Sequence, residues 1–236
     1  MPSRTRPAPA AVVVSIGGSI LVTGAGDVDY LRGLSALLRE CGRSMPLAVT
    51  TGGGRTARDY IGLGRSMHFT EVELDEIGID VTRLHARLLA GAIGAPTPDR
   101  VPTSIREAVS ELHRASPVIL GGTEPGHTTD GVAALLAVRL RAARVVNATD
   151  VAGVYEEDPR THPRAKRLDS LSWTDFRTLV QRSTTGTAGQ NFLFDRLGAD
   201  LLARAGIPLS IVGGRDLPNL GAAIRGEPFD GSRIGA

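Results

Sequence analysis

The chain has a single cysteine, Cys41, so it can build neither an intramolecular disulfide nor a cysteine-rich zinc site, and it fits a reducing compartment such as the cytoplasm. It also has a single lysine, Lys166. Every other permanent cation is an arginine, so a phosphate would meet planar guanidinium groups and not the point charge of a P-loop lysine. Aromatic residues make up only 4% of the chain, the net charge is +2, and no Lys/Arg face stands out, which argues against nucleic acid as a main partner. No apolar run approaches the ~20 residues of a spanning helix, so no membrane partner is expected. Motifs are missing as well. There is no GxxxxGK[ST], no GxGxxG after the first strand, no serine elbow and no zinc signature.

What remains is an ordinary globular composition, 42% hydrophobic and 22% charged, in a chain long enough for one large α/β domain. Residues 1–10 read as a flexible Pro-rich lead-in, and 11–236 as one domain with no internal repeat and no linker to split it. Three short apolar runs, at 12–16, 47–50 and 117–120, read as buried parallel strands. Each is followed by glycines: Gly17-Gly18-Ser19, Gly52-Gly53-Gly54-Arg55 and Gly121-Gly122-Thr123. One such loop is only a tight turn. Three at strand carboxyl ends point to a shared crevice, because ligands of open α/β sheets bind there.

The third loop runs through Glu124, Pro125, Gly126, His127 and Thr128 into a helix opened by Thr129 and Asp130. Unpaired N–H groups and the positive dipole end make a helix start suited to an anion. A carboxylate at Asp130 has two readings, a cap or a group that orients cations beside phosphates. Arg55 and Arg58, three apart, can share a helix face and reach towards an anion. From 71 to 93 a long helical pattern carries an apolar stripe at Leu74, Ile77, Val81, Leu84 and Leu88, with Asp75, Thr82, Arg83 and His85 as the polar residues able to face inward. That mixture also fits a subunit interface. Asp27 is expected to cap the second helix, Ser104 and Glu107 stand at capping-box spacing, and 232–234 is expected to pair at a sheet edge. The strand at 144–148 ends in Thr149-Asp150, and the polar excursion after it holds Tyr155 and Asp158, residues able to wall a purine pocket.

Taken together, SIGGSIL at 15–21, TGGGRTARDYI at 51–61, DEIGIDVTRLHARLL at 75–89, GGTEPGHTTDGVAALLA at 121–137, NATDVAGVYEEDP at 147–159 and AG…FD…LA at 188–203 resemble the uridylate kinases of the archaeal-type branch of the amino acid kinase superfamily. The resemblance implies a three-layer αβα sandwich around a mainly parallel sheet, a homohexamer, and Mg²⁺-ATP-dependent phosphorylation of UMP to UDP. It implies an acceptor-binding part over roughly 11–140 and an ATP-binding part over roughly 141–236. Gly18, Ser19, Gly54, Arg58, Thr149, Asp150, Tyr155 and Asp158 would line the ATP site. Gly53, Asp75 and the loop Thr123, Glu124, Pro125, Gly126, His127, Thr128 and Thr129 would hold UMP. Arg55 would stand between the two phosphates, Asp130 would organise the active site, and the metal ion would be held mainly by ATP phosphates. The chain departs from the pattern at Ser15, where many superfamily kinases carry a catalytic lysine, and at Glu124, Ala152, Arg196 and Asp200. Two alternatives are a kinase of the same fold with another small phosphate or phosphonate acceptor, and an ATP-binding storage or regulatory homologue without turnover.

Overall fold

β1 (Val12–Ile16) is buried along its whole length, as a β-branched run must be when both of its faces are covered. The computed structural model describes residues 10–24, 27–94, 100–159, 161–183 and 194–235. The expected lead-in, apart from Ala10, lies outside the described residues, as does the AG of the AG…FD…LA pattern. After β1 come α1 (Gly18–Leu21), α2 (Val28–Ser44), β2 (Leu47–Thr51), α3 (Gly54–Ser66), α4 (Glu71–Ile93) and α5 (Ile105–Leu112). Then follow β3 (Val118–Leu120), α6 (Thr129–Leu140), β4 (Arg144–Thr149), β5 (Val154–Tyr155), β6 (Arg167–Leu168) and β7 (Ser170–Leu171). The chain continues with α7 (Trp173–Ser183), α8 (Arg196–Ala205), β8 (Leu209–Gly213), α9 (Leu217–Arg225) and β9 (Ser232–Ile234).

Seven strands form one sheet in the order β3-β2-β1-β4-β8-β9-β7. β3, β2, β1, β4 and β8 pair in parallel, while β9 runs antiparallel to β8 and carries β7 parallel to itself. Strand alternation then sorts the core. Val13, Ala48, Val145 and Leu209 point to a layer made by α5, α6, α7 and α8. Val12, Val14, Val49 and Val146 point to α2, α4 and α9. These are the three αβα layers of the expected fold. No helix among the described residues is long and apolar enough to cross a membrane.

Three local expectations need correction. β9 is not an edge strand: it lies between β8 and β7, because the polar excursion returns as β7 and adds outside it. The stripe proposed for α4 is split, since Leu74 and Val81 are buried but Leu84 and Leu88 are 58% and 46% exposed. The face that enters the core runs through Leu74, Val81, His85, Leu89 and Ile93. Asp27 occupies the N-cap position of α2 without a side-chain cap bond. Its buried carboxylate turns back to accept from the Thr23 and Gly24 N–H groups and from Arg215 Nη2 at 2.8 Å. The Arg215 guanidinium, with the Thr23 N–H next, holds it well below the usual carboxylate range. The caps of α4 and α5 come from Thr70 and Ser104, each accepting from the backbone N–H three residues on. The capping box is complete at Thr70, whereas the Glu107 carboxylate reaches back to Thr103 and not to Ser104.

Candidate active site

The parallel register brings the glycine loops of β1 and β2 into direct contact. Gly17 N–H donates to the Ala148 carbonyl at 2.9 Å and Gly52 N–H to the Ile16 carbonyl at 2.8 Å, so both loops are extensions of the sheet. A Cβ on Gly18 would lie 2.2 Å from Gly54 N, and Gly54 itself has φ +59°. Only glycine satisfies both the spacing and the left-handed backbone. Gly18, Ser19, Gly53 and Gly54 therefore meet at one point, where α1 and α3 begin. Thr149 flanks it, its Cα 3.9 Å from a Cβ placed on Gly17. The Thr149 hydroxyl donates to Asp150 Oδ1 at 3.1 Å.

Beyond β3, the loop 121–128 lies on α4. Gly126 N–H donates to Asp75 Oδ2 at 2.8 Å, and Gly122 N–H donates to Thr82 Oγ1 at 2.7 Å. His85, expected as a hydrogen-bonded core residue, is buried with Nδ1 at 2.8 Å from the Gly52 carbonyl. Within the loop, Glu124 Oε1 faces His127 Nδ1 at 3.5 Å, an ion-pair distance that leaves this nitrogen without a hydrogen bond among the described residues. Pro125 and Gly126 are exposed. Thr123 Oγ1 is shut off from solvent and has no hydrogen-bond partner among the described residues.

The start of α6 removes the capping reading of Asp130. Thr128 supplies the cap, its Oγ1 accepting from Gly131 N–H at 3.1 Å. Asp130 instead looks back at the sheet, where Ser15 donates its hydroxyl to Oδ1 at 2.7 Å. Ser15, Thr50 and Asn147 are register partners on β1, β2 and β4 and are all buried, a polar row beneath the first turn of α6. The row interrupts strands whose other buried positions are mostly apolar. A second carboxylate closes the arrangement: Asp195 accepts from Thr128 Oγ1 at 2.7 Å and from Gly198 N–H at 2.8 Å, capping α8. Burial pushes the Asp130 carboxyl up to about 6; the Ser15 hydrogen bond opposes this and the charge of Asp195 adds to it.

That shift has a consequence for stability. A carboxyl whose folded pKa lies above its unfolded value binds its proton more tightly when folded, so its contribution is full below about pH 4 and is lost as pH rises through about 6. Asp130→Asn should therefore gain melting temperature relative to the parent between pH 4 and 6 and keep a constant offset above that window. Parallel melting curves of the two proteins across pH 3.5–8 check it.

The remaining expected residues lie further out. Arg55 and Arg58 are exposed on α3, with Arg55 Nε 3.5 Å from Asp59 Oδ2, so in this state Arg55 does not reach into the crevice. Thr129 is half-buried in the first turn of α6. Tyr155 is half-buried on the β5–β6 ribbon opposite Arg167, and Asp158 is exposed at the turn that follows, its carbonyl accepting from the Thr161 and His162 N–H groups. Ala152 packs near Gly213, and Asp200 pairs with Arg177 at 2.5 Å, tying α8 to α7. Reading the sequence alone missed the bond between Ser15 and Asp130 and the role of Thr128. The signal for the first was a serine in a β-branched run two residues before a glycine pair.

The profile of the Amino acid kinase family matches residues 10–213. The uridylate kinase of Thermoplasma volcanium is 40% identical over 218 residues, covering 92% of this chain and 94% of its own. That of Pyrococcus abyssi is 38% identical over 216 residues, with 92% and 96% covered. The crystal structure of uridylate kinase from Archaeoglobus fulgidus superposes with a TM-score of 0.83 at 35% identity, over 94% of this chain and 99% of that one. The match extends across both glycine loops, the loop on α4 and the excursion after β4, and on it the chain belongs to the amino acid kinase family, in its uridylate kinase branch.

Proposed function

We propose that this protein transfers the γ-phosphoryl group of ATP to UMP, giving UDP and ADP. The observation that carries the reading is the convergence of two abutting glycine loops with a third loop held on α4, all at the carboxyl ends of parallel strands. Phosphoryl transfer asks a protein mainly to align donor and acceptor and to neutralise the charge of the moving group. In this reading the N–H groups around Gly18, Ser19 and Gly54 take the donor phosphates, and Thr149, Asp150, Tyr155 and Asp158 the rest of the ATP. Asp75 and the loop 123–129 take UMP. Arg55 swings in from Asp59 to the transferring group, and Asp130, held by Ser15, orders the cationic groups around it.

Mg²⁺ belongs to the same proposal. In this reading the ion arrives on the nucleotide phosphates, since Mg²⁺ is commonly bound through substrate phosphates and few protein carboxylates. It would neutralise phosphate charge during transfer.

We also propose that the protein is a homo-oligomer, a hexamer built from pairs. Tyr60, Leu63, Met67, Val72, Leu84 and Leu88 on α3, α4 and the turn between them are all more than 45% exposed. α3 carries Arg55, Arg58 and Arg65, while the first half of α4 carries Glu71, Glu73, Asp75, Glu76 and Asp80. A two-fold axis would set the basic helix of one copy against the acidic helix of its partner.

The test is ADP formation with Mg-ATP and UMP, CMP, dUMP, AMP, isopentenyl phosphate or a simple phosphonate as acceptor. UMP is expected to be the preferred acceptor. Turnover with another acceptor alone would keep the kinase chemistry and reassign the substrate, and ATP binding without turnover on any of them would make the protein a storage or regulatory homologue.

A further inference from the structure

α4 touches both halves of the candidate site. On the β2 side His85 meets the Gly52 carbonyl, and the Thr51 hydroxyl donates to the Thr82 carbonyl at 2.9 Å. On the β3 side, besides the bonds from Gly122 to Thr82 and from Gly126 to Asp75, Arg83 donates Nε–H to the Gly122 carbonyl at 3.1 Å and Nη2–H to the Thr123 carbonyl at 3.0 Å. Two donors of one rigid fork are thus fixed on two successive carbonyls, which a lysine ammonium could not do in one plane. The contact is also close: a Cβ on Gly121 would lie 2.6 Å from Arg83 N.

We propose that Arg83 is a positioning residue for the acceptor. It holds the Gly122 and Thr123 carbonyls down on α4, so that the loop 121–128 keeps its receiving shape at a fixed distance from the glycine loop carried by the same helix. The proposal rests on the reading of that loop as the acceptor site. Its physical basis is charge and order together. A carbonyl released from the guanidinium is free to turn its negative end towards an incoming phosphate, and a loosened loop must be ordered again each time the acceptor binds. Arg83 acts through the loop and is not itself assigned a contact with the acceptor.

The experiment compares the parent with Arg83→Met and Arg83→Lys, varying UMP and Mg-ATP separately and measuring amide hydrogen exchange over 121–128 without nucleotide. In Arg83→Met the KM for UMP should rise roughly 10- to 100-fold, the cost of an ångström-scale misplacement, with the KM for ATP within twofold and faster loop exchange. Arg83→Lys should fall between, since an ammonium can serve one carbonyl. A UMP KM within twofold of the parent, or equal rises for UMP and ATP, overturns the proposal. If Arg83→Met does not fold, Arg83→Lys is judged by the same criteria. A parent enzyme inactive on UMP removes the underlying reading of function instead, while unchanged exchange over 121–128 removes the role of Arg83 whatever the substrate.

Discussion

Arg55→Ala is expected to lower kcat by about 10³-fold or more while both KM values stay within a few-fold of the parent. In the structure Arg55 is at the start of α3 with its side chain 85% exposed, resting 3.5 Å from an Asp59 side chain that is 65% exposed. An exposed pair of this kind contributes no more than about 1 kcal/mol. A guanidinium that meets the transferring phosphoryl group contributes about 4–7 kcal/mol to the transition state. Leaving Asp59 is thus a small cost against what the swing gains, so the resting position beside Asp59 is compatible with a role in transfer. Kinetics at saturating nucleotides provide the check, and an unchanged kcat would remove Arg55 from the mechanism.

Gly18→Ala should cost more than a hundredfold in turnover and several degrees in melting temperature. The new methyl carbon would sit 2.2 Å from Gly54 N and 2.4 Å from the Gly52 carbonyl oxygen, both backbone atoms with no rotamer to give. The loops of β1 and β2 must part to admit it. Overpacking of this kind costs about 1–3 kcal/mol, roughly 2–12 °C for a domain of this size. If these loops hold the donor phosphates as proposed, turnover suffers further, because a shift near 1 Å costs about 10²-fold. Gly62→Ala is the matched control: nothing lies within 4 Å of its Cβ, and in the middle of α3 alanine should be neutral or stabilising by up to about 1 kcal/mol. A Gly18→Ala protein that melted and turned over like its parent would show that the two loops do not hold this contact in solution.

Much of this site was legible in the residues because its parts obey local rules. Apolar runs ending in glycine gave β1, β2 and β3 within a residue, and with them the strand ends at which open α/β sheets hold ligands. The inward role of Thr82, Arg83 and His85 followed from polar groups set among the apolar residues of the middle of α4. What stayed hidden depends on tertiary partners. Asp130 as a cap and Asp130 as a carboxylate held by Ser15 have the same sequence. Only the register of β1 under α6, which spans 115 residues of chain, separates them. The α4 stripe failed because its leucines are distributed over two faces, one against the sheet and one outside, and periodicity counts both alike. Asp27 has a cap residue's position, but a guanidinium from beyond β8 competes for its carboxylate and wins. Three residues at 232–234 carry too little pattern to say whether a strand is an edge or an interior one.

The interior place of β9 governs the order in which a newly made chain can finish. The Ser232 hydroxyl accepts from Val154 N–H and donates to the Leu168 carbonyl, and Asp230 takes Arg167 at 2.6 Å, so the ribbon bearing Tyr155 is pinned by residues translated long after it. At about 5–20 residues per second, the stretch from Leu168 to Ser232 takes roughly 3–13 s to synthesise. During that interval β1, β2, β3 and β4 are already made, the open edge of the sheet is first β4 and then β8 once residues 209–213 appear, and the ribbon has no anchor. A chain stopped between Gly213 and Asp230 would therefore have β1, β2, β3, β4 and β8 in hand but the Tyr155 ribbon unfastened and the outer edge of β8 open to mispairing.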